Sequence, residues 1–78
     1  MNNQIKIGGL YSYKQPLYVT MYDLDLKRCI KLLNNNSVVM VLSQYNTTTR
    51  YYKVIDCFGI VGLIVMWFDY WDKVNECC

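Results

Sequence analysis

The chain has 78 residues, a formal net charge of +2 and no histidine. At this length it forms one domain, near the lower limit at which a single hydrophobic core supports folding. Histidine is the commonest general base and metal ligand, so its absence predicts a protein that is not an enzyme and that holds no metal or cofactor. A carboxylate pair such as Asp69 and Asp72 could do acid–base work but is interpreted as a solvated rim.

Charge and amino-acid usage are both uneven along the chain. Residues 1–53 carry seven Lys or Arg against two Asp, whereas residues 54–78 carry one Lys against four acids, so the two parts differ in sign. Alanine is absent, while Asn and Tyr occur seven and eight times. A genome rich in A and T produces this bias, and we therefore expect a protein of a bacterial virus.

The cysteines and the first residues predict the cellular compartment. Cys29, Cys57, Cys77 and Cys78 form no C-x-x-C pair, and we expect free thiols, with the first two as small buried residues and the last two in a loose tail. The start of the chain has no apolar signal-peptide region. We expect a protein of the bacterial host cytoplasm that does not contact a membrane.

The first half of the chain predicts short strands separated by turns. A leading strand over Ile5 and Ile7 runs into a turn at Gly8-Gly9, and a strand over Leu17–Tyr22 follows Pro16. Residues 23–33 fit either a helical turn capped by Asp23 or a loop followed by a strand over 29–33. Because an asparagine cluster at 34–36 follows at once, we favour the loop and strand.

The second half continues this pattern. Strands are predicted over 37–45 and 50–56, joined by a hairpin turn at 46–49. The apolar run 57–68 is too short to span a bilayer, which takes about 20 residues, and its glycines and β-branched residues disfavour a helix. It is interpreted as a turn at 57–59 and a central strand over 60–66, followed by one helical turn at 67–71 and a short closing strand at 73–74.

The order of these segments resembles the bacterial Src-homology-three (SH3) barrel. The segments that carry the resemblance are Leu17-Tyr-Val-Thr20, Ile30-Lys-Leu-Leu33, Val38-Val-Met-Val-Leu42, Tyr51-Tyr-Lys-Val54 and Gly59-x-x-Gly62-Leu-Ile64. The resemblance implies an all-β fold, a small SH3-like barrel of five to six short antiparallel strands with a one-turn helix near the C-terminus. It covers a core at 16–74, with 1–15 as leader and 75–78 as tail of a single domain. Members of this family bind peptides, cell-wall peptidoglycan or protein partners and are not enzymes.

Two predicted strands are apolar on both faces. Strand residues alternate between core and outside, so Val39 and Val41 point inward if Val38, Met40 and Leu42 point outward. In the central strand, Ile60, Ile64 and Met66 point inward, and the opposite face is expected to bind a partner through Tyr51, Val61, Leu63, Val65 and Trp67. Monomers rarely leave so large an apolar patch uncovered, so a protein partner, a second copy or residues 1–15 must cover it.

Basic and aromatic residues interleave in the strand after the hairpin. Tyr45, Arg50, Tyr51 and Lys53 could stack bases and follow a phosphate backbone, although cross-strand aromatic pairing explains them equally simply. The best interpretation is a non-catalytic bacteriophage protein that binds and modulates or inhibits a host or defence-system protein. The alternatives are a cell-wall or peptide-binding module and a single-stranded nucleic-acid binder.

Overall fold

The computed structural model describes residues 5–45 and 50–74. Its fold is all-β, as predicted. Seven antiparallel strands, rather than the expected five to six, form one sheet in the order β3-β2-β6-β5-β4-β1-β7. The strands are β1 (Leu10–Tyr13), β2 (Val19–Tyr22), β3 (Cys29–Leu33), β4 (Val38–Gln44), β5 (Tyr51–Asp56), β6 (Val61–Val65) and β7 (Trp71–Lys73). A 3-10 turn at Phe68–Tyr70 precedes β7, and the described residues contain no α-helix.

Most predicted strands are present. The main differences lie near the start of the chain, and the closing strand predicted at 73–74 is β7, at Trp71–Lys73. β3 has the predicted bounds, and β4 and β5 lie within theirs. The predicted leading strand over Ile5 and Ile7 is wrong, because this segment forms a turn in which the Gly9 N–H donates to the Lys6 carbonyl. β1 is a strand that the sequence analysis does not predict, and it pairs with both β4 and β7. The predicted hairpin turn at 46–49 lies outside the described residues.

One hydrophobic core receives buried side chains from every strand. They are Tyr11, Tyr13, Met21, Leu33, Val39, Val41, Val54, Ile64, Met66 and Trp71. Strands lie about 4.8 Å apart, so a flat sheet of seven would be roughly 29 Å wide and could not gather these residues into one cluster. The sheet is therefore strongly curved, with its concave face around the core.

A long-range ion pair is independent evidence for this curvature. The Lys31 ammonium of β3 contacts the Asp56 carboxylate of β5 at 2.5 Å, although β2 and β6 separate these strands in the sheet. Three strand spacings amount to roughly 14 Å, which exceeds the combined reach of the two side chains. Only a sheet that folds back on itself brings these two groups into contact.

The turn between β5 and β6 is built by Asp56 and Gly59. One carboxylate oxygen of Asp56 accepts the backbone N–H groups of Phe58 and Ile60, each at 2.9 Å. Gly59 has φ +84°, which favours glycine because it has no Cβ. The predicted turn at 57–59 is confirmed. Ile60 was expected to point into the core, but it lies in this turn and is exposed.

Gly62 has a different reason to be glycine. It lies inside β6, and a Cβ atom there would come within 2.5 Å of the Met21 Cγ and 2.7 Å of the Tyr22 carbonyl oxygen. The missing side chain lets β2 cross β6 closely, and Met21 fills the space as a fully buried core residue.

The segment between β2 and β3 is a loop, as predicted. One carboxylate oxygen of Asp23 accepts the N–H groups of Lys27 at 2.9 Å and Asp25 at 3.1 Å. The bond from the Lys27 N–H is the main cause that holds the pKa of Asp23 below its ordinary value. The predicted cap residue therefore organises a tight loop rather than a helix.

Candidate protein-binding surface

The predicted binding residues lie on the convex face of the sheet. Tyr51 of β5 is paired with Val65 of β6, and Val61 is paired with Ile55 of β5. Residues 52, 54 and 64, which alternate with them, point toward the core. Trp67 follows β6 and is 47% exposed. The alternation predicted for these strands thus places four of the five residues at or near the surface.

Leu63 is the exception, and the expectation that it is exposed is wrong. Its side chain is only 1% exposed, yet it does not belong to the core cluster. Its direct cross-strand neighbours are Tyr22 on one side and Lys53 on the other. Tyr22 also packs edge-on against Tyr51, with ring centroids 6.4 Å apart. Long side chains on the convex face therefore cover Leu63, and it cannot itself contact a partner.

An apolar row continues across the convex face beyond the residues predicted to bind a partner. Cross-strand pairing joins Val61 to Ile55, Ile55 to Met40, and Met40 to Leu10, so one residue from each of four adjacent strands is aligned. Met40 is 39% exposed, and the other three are partly exposed. We call these four residues the apolar row. The outward position of Met40 and the burial of Val39 and Val41 confirm the alternation predicted for β4.

A cleft opens along the apolar row. Its volume is about 170 Å³, and its lining residues are Leu10, Val38, Val39, Met40, Ile55, Asp56 and Cys57. An apolar cavity of about 150 Å³ accepts a molecule the size of benzene. The cleft is thus large enough for one aromatic or aliphatic side chain and smaller than most cofactor sites, which measure about 300 Å³ or more.

The basic and aromatic residues predicted as a nucleic-acid surface meet at one end of the sheet. The Tyr45 N–H donates to the Tyr51 carbonyl, and the Arg50 guanidinium stacks 4.3 Å from the centroid of the Trp67 ring. Lys53 lies on the convex face of β5, two residues after Tyr51. The structure brings these side chains near one another, but Tyr51 is only partly exposed beside Tyr22.

The ion pair between Lys31 and Asp56 serves to stabilise the fold. The Asp56 side chain is 3% exposed and has its carboxylate oxygens bound by Lys31 and the amides of the turn. Burial acts to raise the pKa of Asp56, but the bonds from Lys31, Ile60 and Phe58 outweigh it and lower that pKa. The Lys31 ammonium also lies 4.7 Å from the centroid of the exposed Phe58 ring. Every charged atom of this pair is used in holding the turn and β3 together.

The exposure of two cysteines differs from the prediction. Cys29 and Cys57 are both exposed, so the prediction that they are small buried residues is wrong. Cys77 and Cys78 lie outside the described residues. Within residues 5–45 and 50–74, no three His, Cys, Asp or Glu side chains are grouped as a metal site. In the same part of the chain, no helix is long and apolar enough to cross a membrane.

Comparison of the chain with protein-family models, with curated proteins and with solved structures found no match. The resemblance to the SH3 barrel therefore depends on the sequence segments alone.

Proposed function

We propose that this protein is a non-catalytic protein-binding module built on a small SH3-like barrel, and that the apolar row is its contact surface. The curvature of the sheet around a single core supports the barrel. Its short antiparallel strands and the 3-10 turn near the end of the chain agree with that architecture. Small size and amino-acid usage favour a bacterial-virus protein that occupies a surface of a host protein.

The observation that carries the proposal is the alignment of Leu10, Met40, Ile55 and Val61 beside an apolar cleft. These residues lie on the convex face, so they do not contribute to the core cluster. Binding surfaces derive most of their energy from a few apolar or aromatic anchors that fill such pockets. A partner side chain in the cleft would cover Leu10, Met40 and Ile55, and Val61 lies next to Ile55 at the edge of the contact.

A peptide-display selection followed by affinity measurements tests this function. Peptides enriched on the native protein should bind Met40→Asp at least about thirtyfold more weakly, which corresponds to the loss of a central anchor contact. Ile30→Asp is the matched control, because Ile30 is 42% exposed on β3, which β2 and β6 separate from β5. It should change the affinity less than about twofold. Circular dichroism confirms that both variants fold.

Equal affinity of the selected peptides for native protein and Met40→Asp would contradict the proposed surface. A loss of binding in Ile30→Asp alone would move the contact surface to β3. The selection could also enrich no peptides, or only peptides that do not compete with one another for binding. Either result would contradict the proposal that the chain is a peptide- or protein-binding module.

A second candidate function is the binding of single-stranded nucleic acid at the Arg50 end of the sheet. The Arg50–Trp67 stack favours it, since an exposed indole beside a guanidinium can stack a base. A mobility shift of oligouridine at physiological salt, lost in Arg50→Ala with Lys53→Ala, would support this function. A mobility shift that disappears by about 200 mM salt and does not depend on the nucleotide sequence would indicate only nonspecific attraction of the phosphates to the protein's cations.

A further inference from the structure

Lys53 is the one charged side chain among the outward-facing positions of β1, β2, β4, β5 and β6. On those strands the outward positions near it are occupied by Leu10, Ser12, Thr20, Tyr22, Val38, Met40, Ser43, Tyr51, Ile55, Val61, Leu63 and Val65. Within residues 5–45 and 50–74 the only ion pair joins Lys31 and Asp56, and no acidic side chain of these ranges pairs with Lys53. A single positive charge thus lies on the part of the face formed by these five strands. The acidic outward residue Asp72, opposite Ser12, lies on edge strand β7, three strand positions from β5.

Packing holds this lysine in place. Lys53 is partly buried, and its direct cross-strand neighbours are Leu63 on β6 and Ser43 on β4. Its position directly opposite Leu63, which is 1% exposed, allows its aliphatic part to cover Leu63 while the ammonium reaches water. A lysine restrained in this way loses less side-chain freedom when it binds a carboxylate than a fully mobile one.

Lys53 is also spaced correctly from the cleft. Lys53 and Ile55 are two residues apart on one strand, on the same face, and are therefore separated by about 6.8 Å. Ile55 lines the cleft and is paired with Met40. Side chains at alternate positions of any extended segment have this same spacing. One extended partner segment lying along β5 can therefore fill the cleft and reach Lys53 at once.

Resting on the proposed function, we propose that the partner is an acidic extended segment, with an apolar side chain in the cleft and an Asp or Glu two residues away that pairs with Lys53. The segment can run in either direction along β5, so the acidic residue either precedes or follows the apolar one. The carboxylate supplies the negative charge that the surroundings of Lys53 lack, and the apolar side chain supplies most of the buried area.

The test uses two matched pairs of peptides of about ten residues in a Gly-Ser background. One pair contains Leu-Thr-Glu and Leu-Thr-Gln, and the other contains the reversed orders Glu-Thr-Leu and Gln-Thr-Leu. Fluorescence anisotropy measures each affinity for native protein, Lys53→Glu and Arg50→Glu. One glutamate peptide should bind native protein at least about fivefold more tightly than its glutamine partner, as expected for a charged hydrogen bond at a partly exposed site.

The Lys53→Glu variant should lose that preference and favour the same peptide with lysine in place of glutamate. Arg50→Glu changes the charge by the same amount as Lys53→Glu but at the end of the sheet, and it should retain the preference for glutamate. Alkylation of Cys57 gives a second readout, because this exposed thiol lines the cleft and Cys29 does not. With Cys77→Ser and Cys78→Ser in place, the bound peptide should slow alkylation of Cys57 but not of Cys29.

Two failures are distinguishable. Protection of Cys57 without any difference between glutamate and glutamine peptides would overturn the acidic partner and leave the apolar row as the binding surface. Loss of the glutamate preference in Arg50→Glu instead of Lys53→Glu would assign the charge recognition to the Arg50 end. Absence of both protection and binding, for either orientation, would contradict the acidic segment and the proposed surface together.

Discussion

Replacing Asp56 with alanine should destabilise the fold by about 3 kcal/mol. The carboxylate accepts one bond from Lys31 at 2.5 Å and one each from the amides of Phe58 and Ile60 at 2.9 Å. Water can reach the amides at the exposed turn, so each is worth about 1 kcal/mol. Breaking a buried ion pair costs up to about 3–5 kcal/mol, but Lys31 is 24% exposed and can be partly hydrated, which reduces that contribution to about 1 kcal/mol.

Urea denaturation of native protein, Asp56→Ala, Lys31→Met and the double variant measures these contributions separately. Lys31→Met should cost less than Asp56→Ala, because it leaves the two turn amides bound to the carboxylate. The double variant should lose less stability than the sum of the losses in the two single variants. The Lys31–Asp56 contact is lost in each single variant, so that sum counts it twice.

Stability should also depend on pH through Asp56. Its pKa is lowered in the folded protein, because the bonds from Lys31 and the turn amides outweigh the effect of burial. The stabilisation is therefore complete above the unfolded pKa of about 3.9 and is lost as the pH falls through the lower, folded pKa. The acid slope should be weaker in Asp56→Ala. A cost below about 1 kcal/mol for that variant, together with an unchanged acid slope, would refute this account of the turn.

Three further outcomes follow from the packing. Gly62→Ala should destabilise by more than about 1 kcal/mol in a urea titration, since the new methyl group would overlap Met21; near-native stability would show that β2 can move away. Leu63→Asp should unfold the domain or lower its melting temperature strongly, because the carboxylate would be buried; a native melting curve would show that the site is open to water. Cys29 and Cys57 should react with a thiol reagent in the native state; protection of either until unfolding would contradict its exposure.

Local patterns in the sequence predicted the strands of the centre of the chain well. The run of β-branched residues in 38–42 and the alternation around Val39 and Val41 are properties of one strand and need no knowledge of its neighbours. The turn at 57–59 was equally local, because glycine and aspartate determine it together. The segment 10–13 gave no such pattern, since Tyr11 and Tyr13 alternate with Leu10 and a serine that are both at least partly buried.

The candidate site was harder to predict because its burial depends on cross-strand pairing. Alternation showed that Leu63 points away from the core, but only the register shows that Tyr22 and Lys53 cover it. The apolar row joins residues from positions 10 to 61 of the chain, and its alignment likewise follows from the register. Alternation of Ile55 with the inward residues Tyr52 and Val54 could have indicated that Ile55 points outward, but nothing local connected it to Leu10.

Methyl NMR of the methionines tests the central claim most directly. During titration with a peptide selected on the native protein, the Met40 methyl signal should shift, because Met40 lines the cleft. Met21 and Met66 are buried in the core and should move little, which makes them internal controls. The Ile55 methyl signals should shift with Met40, whereas those of Ile30 should not. Shifts confined to Ile30, or to the rings of Tyr45 and Trp67 with Met40 unchanged, would contradict the apolar row as the binding surface.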